Sequence, residues 1–159
     1  MAHVITSRDG RRGLRSDSGE ESSEAPITAT DPGRSRILVV DDSPTVIAVV
    51  RAILQGAGYE VEALGSFIAL PQLLCDHCPD LILLDLEMPA MDGQAMGHFI
   101  RRYQDRPIPI LIYSSRPLEE LRAAAADLGA AGYLSKSRRD PGFLVEGVRA
   151  ALGGGALTS

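Results

Sequence analysis

Leu81-Ile82-Leu83-Leu84-Asp85-Leu86-Glu87-Met88-Pro89 joins an unbroken apolar run to a carboxylate and a turn. Four consecutive aliphatic residues without polar alternation read as a strand buried on both faces, as in a parallel sheet. Asp85 ends the run. Met88-Pro89 and then Asp92-Gly93 force a loop directly afterwards. The chain is therefore expected to hold the Asp85 carboxylate at the C-terminal edge of a parallel sheet, where it can serve as a nucleophile.

Outward from this strand the pattern repeats. Residues 37–40 form a short apolar strand ending in Asp41-Asp42, with Ser43 as helix N-cap and Pro44 as first helical residue. Val46, Val49, Val50, Ile53 and Leu54 then recur at helical spacing, and Gly56 and Gly58 end the helix. Residues 59–63 alternate as a second strand. Residues 67–75 have helical spacing but contain Pro71, which predicts a short or irregular helix. After the third strand, 81–85, residues 94–103 read as a helix. Met96, Phe99 and Ile100 face inward and Arg101-Arg102 sit near its C-terminus, where positive charge suits the dipole.

Pro107 and Pro109 punctuate the approach to a fourth strand, 108–113, which leads into Ser114-Ser115. Pro117 opens an alanine-rich helix with Leu118, Leu121, Ala125 and Leu128 inward, closed by Gly129. Ala123, Ala124 and Ala126 are expected on its non-core side, a smooth face for a partner or a second copy. Residues 132–136 form a fifth strand. Asp140 N-caps a last helix with Pro141 in its first position, and Phe143, Leu144, Val148 and Leu152 turn inward. Five strands alternating with five helices predict an α/β, doubly wound, five-stranded parallel sheet of order 2-1-3-4-5, with helices on both faces. In such sheets the site lies beyond the C-terminal strand ends.

Composition bounds the function. With 159 residues, 45% of them hydrophobic, the chain fits one domain with a real core. Residues 1–35 carry few large apolar groups and read as a disordered extension, 36–152 as the folded domain and 153–159 as a short tail with no output domain after it. No apolar run approaches the roughly 18 residues of a membrane span, and no signal layout opens the chain. A soluble, cytoplasmic protein is expected. The net charge of −5 argues against non-specific nucleic-acid binding. Cys75 and Cys78 form a lone CxxC around His77 with no second ligand pair, so two ordinary thiols are expected rather than a zinc site. His98 is expected on the surface, and His3 in the extension.

The chemistry gathers at the strand ends: Asp41-Asp42 on strand one, Asp85 on strand three, Ser114 on strand four, Lys136 on strand five. Strands one and three are neighbours in the proposed order, so three carboxylates crowd one volume and require a cation. A hard divalent ion with oxygen ligands meets that need, and magnesium suits few carboxylates, waters and a phosphate. The carbonyl of Glu87 is a further candidate ligand. Lys136 is the single lysine among 16 basic residues, a compact ammonium where arginine would fork bidentately. With a hydroxyl at Ser114, the set describes in-line phosphoryl transfer onto Asp85.

These pieces resemble the receiver domain of response regulators of the CheY-like type in two-component signalling. The matching segments are Leu38-Val39-Val40-Asp41-Asp42-Ser43, Leu83-Leu84-Asp85-Leu86-Glu87-Met88-Pro89, Met91-Asp92-Gly93, Ser114, and Gly129-Ala130-Ala131-Gly132-Tyr133-Leu134-Ser135-Lys136. The resemblance implies that Asp85 accepts a phosphoryl group from a sensor histidine kinase or a histidine phosphotransfer protein. It implies that Asp41 and Asp42 hold magnesium, that Ser114 moves towards the phosphoryl group, and that Tyr133 changes rotamer behind it. The altered surface would be the fourth helix, fifth strand and fifth helix, where a downstream protein or a second copy binds. Such a chain is a phosphorelay switch rather than an enzyme, assisting only its own phosphorylation and dephosphorylation.

Two departures from that family bear on the site. Ser137 follows Lys136 where the family usually has proline, so a trans Lys136–Ser137 bond is expected, since cis before a non-proline residue costs about 2.5–4 kcal/mol. Glu87 and Arg116 each stand two residues beyond a site residue, and are expected to pair over the site and obstruct an attacking water. The alternative is a pseudo-receiver, an interaction scaffold that works without phosphorylation. An aspartate-nucleophile phosphatase would want its nucleophile on strand one with a second aspartate two residues on, and position 43 is serine. A flavin module would want a phosphate-cradling first loop, which this chain lacks.

Overall fold

The structure is a computed structural model that describes residues 33–89, 91–102, 104 and 106–155. Most of the N-terminal extension, the last four residues, Tyr103 and the side chains of Cys75 and His77 lie outside the described residues. In chain order the elements are β1 (Arg36–Val40), α1 (Pro44–Gly56), β2 (Glu60–Leu64), a 3-10 turn (Phe67–Ala69) running into α2 (Leu70–His77), β3 (Leu81–Leu84), β4 (Glu87–Met88), β5 (Met91–Asp92), α3 (Gly93–Arg102), β6 (Ile110–Ser114), α4 (Leu118–Leu128), β7 (Gly132–Ser135) and α5 (Pro141–Leu152).

The main sheet runs β2-β1-β3-β6-β7 with every neighbouring pair parallel. Leaving aside β4 and β5, this is the expected 2-1-3-4-5 order. Those two strands form a separate antiparallel ladder, Glu87 opposite Asp92 and Met88 opposite Met91, inside what the sequence reads as a loop.

Strand alternation splits the core in two. Leu38, Val40, Ile82, Leu84, Ile110 and Ile112 point to one face and meet Leu70, Leu74, Met96, Ile100, Leu121 and Leu128 from α2, α3 and α4. Ile37, Val39, Leu81, Leu83, Leu111 and Leu134 point to the other and meet Val50, Leu54, Leu144, Val148 and Ala151 from α1 and α5. All four residues of β3 are buried, at 1% exposure or less. At about 1.5–3 kcal/mol per buried aliphatic side chain, the sheet's central strand is the least dispensable part of the fold.

The helix starts follow from the residues expected to make them. Ser43 accepts a hydrogen bond from the N–H of Val46, and Asp140 from that of Gly142. Pro71 stands in the first turn of α2, where its missing N–H breaks no intrahelical bond. The result is the shortened helix expected there. Gly129 ends α4 with φ of +57°, a left-handed conformation that suits glycine.

Three side chains depart from the expectation. Val49 is 52% exposed and Leu118 is 54% exposed, whereas Ala124 is buried at 2%. Leu121, Ala124 and Leu128, spaced i, i+3 and i+7, form the buried row of α4. Ala124 therefore belongs to the core, and Leu118, in the first turn beyond the strand ends, does not. Cys78 is an exposed thiol with φ of +36°, donating to the carbonyl of Leu74 at 3.7 Å.

Arg101 locks α3 to its surroundings. Its guanidinium donates to the carbonyls of Ile108 (3.1 Å), Leu128 (3.3 Å) and Gly129 (2.7 Å), so one cation ties the end of α3 to the end of α4 and the approach to β6.

Candidate functional site

The sheet brings the expected residues to one edge. β1 and β3 are in register from Ile37–Leu81 to Val40–Leu84, so the residues just past them, Asp41 and Asp85, emerge side by side. The backbone continues this pairing for one more step, Asp85 N–H donating to the carbonyl of Val40 at 2.9 Å. On the other side Asp41 N–H donates to Leu64 at 3.1 Å. Both aspartates are buried, Asp41 at 2% exposure and Asp85 at 3%.

Each buried carboxylate is held at two oxygens. Asp41 Oδ1 accepts from the N–H of Ser43 (2.9 Å) and Asp85 Oδ1 from that of Glu87 (3.1 Å). The remaining oxygens share one ammonium: Lys136 Nζ lies 2.6 Å from Asp41 Oδ2 and 2.9 Å from Asp85 Oδ2. Lys136 follows β7, which pairs with β6 from Leu111–Gly132 to Ser114–Ser135. Its own N–H donates to the carbonyl of Ser114 at 2.9 Å, so the lysine and the serine are fixed to each other through the backbone. The Lys136–Ser137 bond is trans, as no described peptide bond is cis. A turn closes after it, Ser137 N–H reaching Ser135 Oγ at 3.2 Å and Arg138 N–H the carbonyl of Ser135 at 3.2 Å.

Asp42 completes the cluster differently. Asp41, Asp42 and Asp85 each offer a carboxylate oxygen within 4.8 Å of the others, and Asp42 is the exposed member. Among the described residues no hydrogen bond or ion pair engages the Asp42 side chain. Three carboxylates against one ammonium leave the cluster short of positive charge, and an all-oxygen set with one exposed member fits a small divalent ion that keeps its waters.

Electrostatics reinforce the pairing. Burial pushes the Lys136 ammonium down, but the hydrogen bonds and charges of Asp41 and Asp85 push it further up, leaving it above the ordinary lysine value. Lys136 also lies 5.8 Å from the centroid of the Tyr113 ring. Burial raises the Tyr113 hydroxyl above its ordinary value; Lys136 opposes this and Asp41 adds to it. Sequence reading missed Tyr113. Its signal is register: Tyr113 pairs with Leu134, and Lys136, two residues on, projects to the same face.

Ser114 is fully buried at the end of β6, and Tyr133 is 8% exposed within the core on the α4 side. The expected Glu87–Arg116 pair does not form. One oxygen of Glu87, Oε2, accepts instead from Ser114 Oγ at 3.2 Å and from the N–H of Ser115 at 3.0 Å. Arg116 reaches the other way, to the carbonyl of Leu86 at 3.1 Å and to Asp92 at 4.0 Å. The reason is local. β4 turns Glu87 towards the end of β6, and the donors there are nearer than the guanidinium. His98, exposed as expected, meets Asp127 across α3 and α4 at 3.0 Å.

Gly93 sets how closely α3 approaches this loop. A Cβ there would lie 2.5 Å from the Asp85 carbonyl and 2.5 Å from Leu86 Cα, both backbone atoms that cannot step aside. Among the described residues no helix is long and apolar enough to cross a membrane.

Comparison with known proteins gives the family. The response regulator receiver domain family matches residues 37–148. The protein-glutamate methylesterase/protein-glutamine glutaminase 4 of Anaeromyxobacter dehalogenans (strain 2CP-C) is 39% identical over 147 residues, covering 82% of this chain and 39% of that protein. Response regulator MprA of Mycobacterium sp. (strain KMS) is 37% identical over 101 residues, 64% of this chain and 44% of that protein. The chain thus spans about two fifths of the length of these relatives. Among solved structures, the Vibrio cholerae chemotaxis protein CheY4 superimposes with a TM-score of 0.67 at 28% identity, covering 74% of this chain and 98% of that one. By sequence and by fold, the chain belongs to the response regulator receiver domain family.

Proposed function

We propose that the protein is a phosphoacceptor switch in a two-component phosphorelay, with Asp85 as the residue that takes the phosphoryl group. The observation that carries this reading is the Lys136 ammonium shared between Asp41 and Asp85 at 2.6 and 2.9 Å. It supports a buried carboxylate paired and aimed, beside a cation able to follow the charge.

The donor is a phosphohistidine on a sensor histidine kinase or a histidine phosphotransfer protein. Asp85 Oδ attacks phosphorus in line, the new P–O bond forms as the P–N bond breaks, and the imidazole nitrogen leaves with the electron pair. Lys136 neutralises oxygen charge developing beside Asp85, while Asp41 keeps the ammonium oriented. Ser114 then donates its hydroxyl proton to a phosphoryl oxygen, and Tyr133 repacks behind it. Hydrolysis reverses the state: water attacks phosphorus, and Asp85 leaves as carboxylate with inorganic phosphate as the other product. The donor set fits magnesium held by Asp41, Asp42, Asp85 and the Glu87 backbone carbonyl, with Asp42 the most accessible ligand. When bound, such an ion supplies charge neutralisation on the transferring phosphoryl oxygens.

Output runs through protein binding on the face of α4, β7 and α5, to a downstream protein or a second copy, in the cytoplasm and without nucleic acid or membrane. The protein catalyses only its own phosphorylation and dephosphorylation. The test uses phosphoramidate, whose P–N bond resembles that of phosphohistidine. With magnesium it should shift the amide resonances of Ser114, Tyr133 and Lys136, and chelator should abolish the change. Unchanged spectra at saturating donor and magnesium would refute the reading.

A further inference from the structure

Glu87 is the residue at this edge that the proposed reaction leaves without a side-chain role. Its carboxylate occupies the donors that a phosphoryl group would need. Ser114 has one hydroxyl proton, and it points to Glu87 Oε2 at 3.2 Å. The adjacent Ser115 N–H points to the same oxygen at 3.0 Å. Two donors from consecutive residues at a strand end make an anion cradle, and here an internal anion fills it.

We infer that Glu87 is an internal competitor for the switch serine, a carboxylate latch that holds Ser114 and Ser115 in the resting state and must let go before a phosphoryl oxygen on Asp85 can take their protons. The inference rests on Asp85 being the phosphoacceptor, and adds what opposes it. Glu87 stands two residues from Asp85 and its N–H already donates to Asp85 Oδ1 at 3.1 Å. A phosphoryl dianion on Asp85 and the Glu87 carboxylate would therefore repel each other while claiming the same donors. The backbone bearing Glu87 can yield, since it belongs to a two-residue ladder, β4 with β5, outside the main sheet. Arg116 does not hold the carboxylate in place, being turned to Leu86 and Asp92. The latch raises the threshold for activation and makes the resting state the default.

The sign of the effect separates a latch from a merely structural contact. Losing a structural bond lowers stability and weakens ligand binding together. Losing a competitor strengthens binding of a phosphoryl mimic even if stability falls. The probe is beryllium fluoride with magnesium, titrated into the full chain and followed by amide shifts. Glu87→Gln, which keeps an acceptor but drops the charge, should tighten apparent affinity about threefold, and Glu87→Ala about tenfold, the span of one net hydrogen bond. In a Ser114→Ala background the gain from Glu87→Ala should at least halve. Independently of any ligand, the Ser115 amide should exchange faster with solvent in Glu87→Ala than in the wild type. Equal affinity of wild type and Glu87→Ala for the probe, or unchanged Ser115 exchange, would overturn the latch and leave the phosphoacceptor reading standing. Binding by neither protein would overturn the phosphoacceptor reading, and the latch with it.

Discussion

Lys136→Met tests the electrostatics of the site most searchingly. The substitution keeps the length of the apolar stem and removes the ammonium, so packing changes little. What remains is a pair of buried carboxylates, each 3% exposed at the side chain, that have lost a cation 13% exposed and within 3 Å of both. Removing one partner of a buried ion pair costs about 3–5 kcal/mol. The open side of the cluster, where Asp42 meets solvent, points to the lower end, about 3 kcal/mol. That is a large share of the roughly 5–15 kcal/mol that holds a domain together. The assay is urea unfolding followed by circular dichroism in chelator at neutral pH, repeated with saturating magnesium. The gap should shrink with magnesium, because a divalent cation relieves the same crowding. A gap below about 1 kcal/mol in chelator, the range of exposed ion pairs, would mean that Lys136 does not hold the buried carboxylates together. The pH dependence has a definite sign. Lys136 is held above its ordinary value, so its contribution is fully present below the unfolded value of about 10.5 and is lost as pH rises through the folded value. The difference between wild type and Lys136→Met should therefore stay constant from neutral pH to about 10 and close above it.

Other consequences are checked separately. Tyr113 should titrate above the free tyrosine value of about 10 in an ultraviolet absorbance titration, with the late phase missing in Tyr113→Phe. Gly93→Ala should cost about 3 kcal/mol by overpacking and weaken magnesium binding measured calorimetrically, because the intruding Cβ meets the backbone of Asp85 and Leu86. Arg101→Ala should cost about 2 kcal/mol in urea unfolding, as charged hydrogen bonds to the carbonyls of Ile108, Leu128 and Gly129 are lost. Amide exchange should speed up at the C-terminal end of α4, where Arg101 holds the carbonyls of Leu128 and Gly129.

The main sheet was legible because parallel strands are buried on both faces and so read as unbroken apolar runs. Residues 37–40 and 81–84 need only one-dimensional pattern for that, while the fourth strand, read as 108–113, begins two residues later and runs from Ile110 to Ser114. Their ends were legible for the same reason, because the first polar residue after each run must lie at the sheet's edge. What escaped depends on direction rather than composition. In the run Ala123 to Ala126 every residue has the same hydropathy, so helical phase alone could not say that Ala124 faces the core. Leu118 reads as a core residue by type, but it stands in the first turn of α4, beyond the sheet. Opposite charge suggested that Glu87 would meet Arg116; the ladder of β4 and β5 turns Glu87 to Ser114 and Ser115 instead. A two-residue ladder is too short to leave a periodic signal, and it carries the Glu87 carboxylate.

The proposed switch stands or falls with Asp85 as the phosphoacceptor. The most direct measurement is the intact mass of the full chain after incubation with magnesium and acetyl phosphate, wild type beside Asp85→Asn. A single phosphoryl adduct is expected on the wild type, absent in Asp85→Asn and absent from the wild type in chelator. An adduct of equal yield on Asp85→Asn, or none on the wild type at saturating donor, would contradict it.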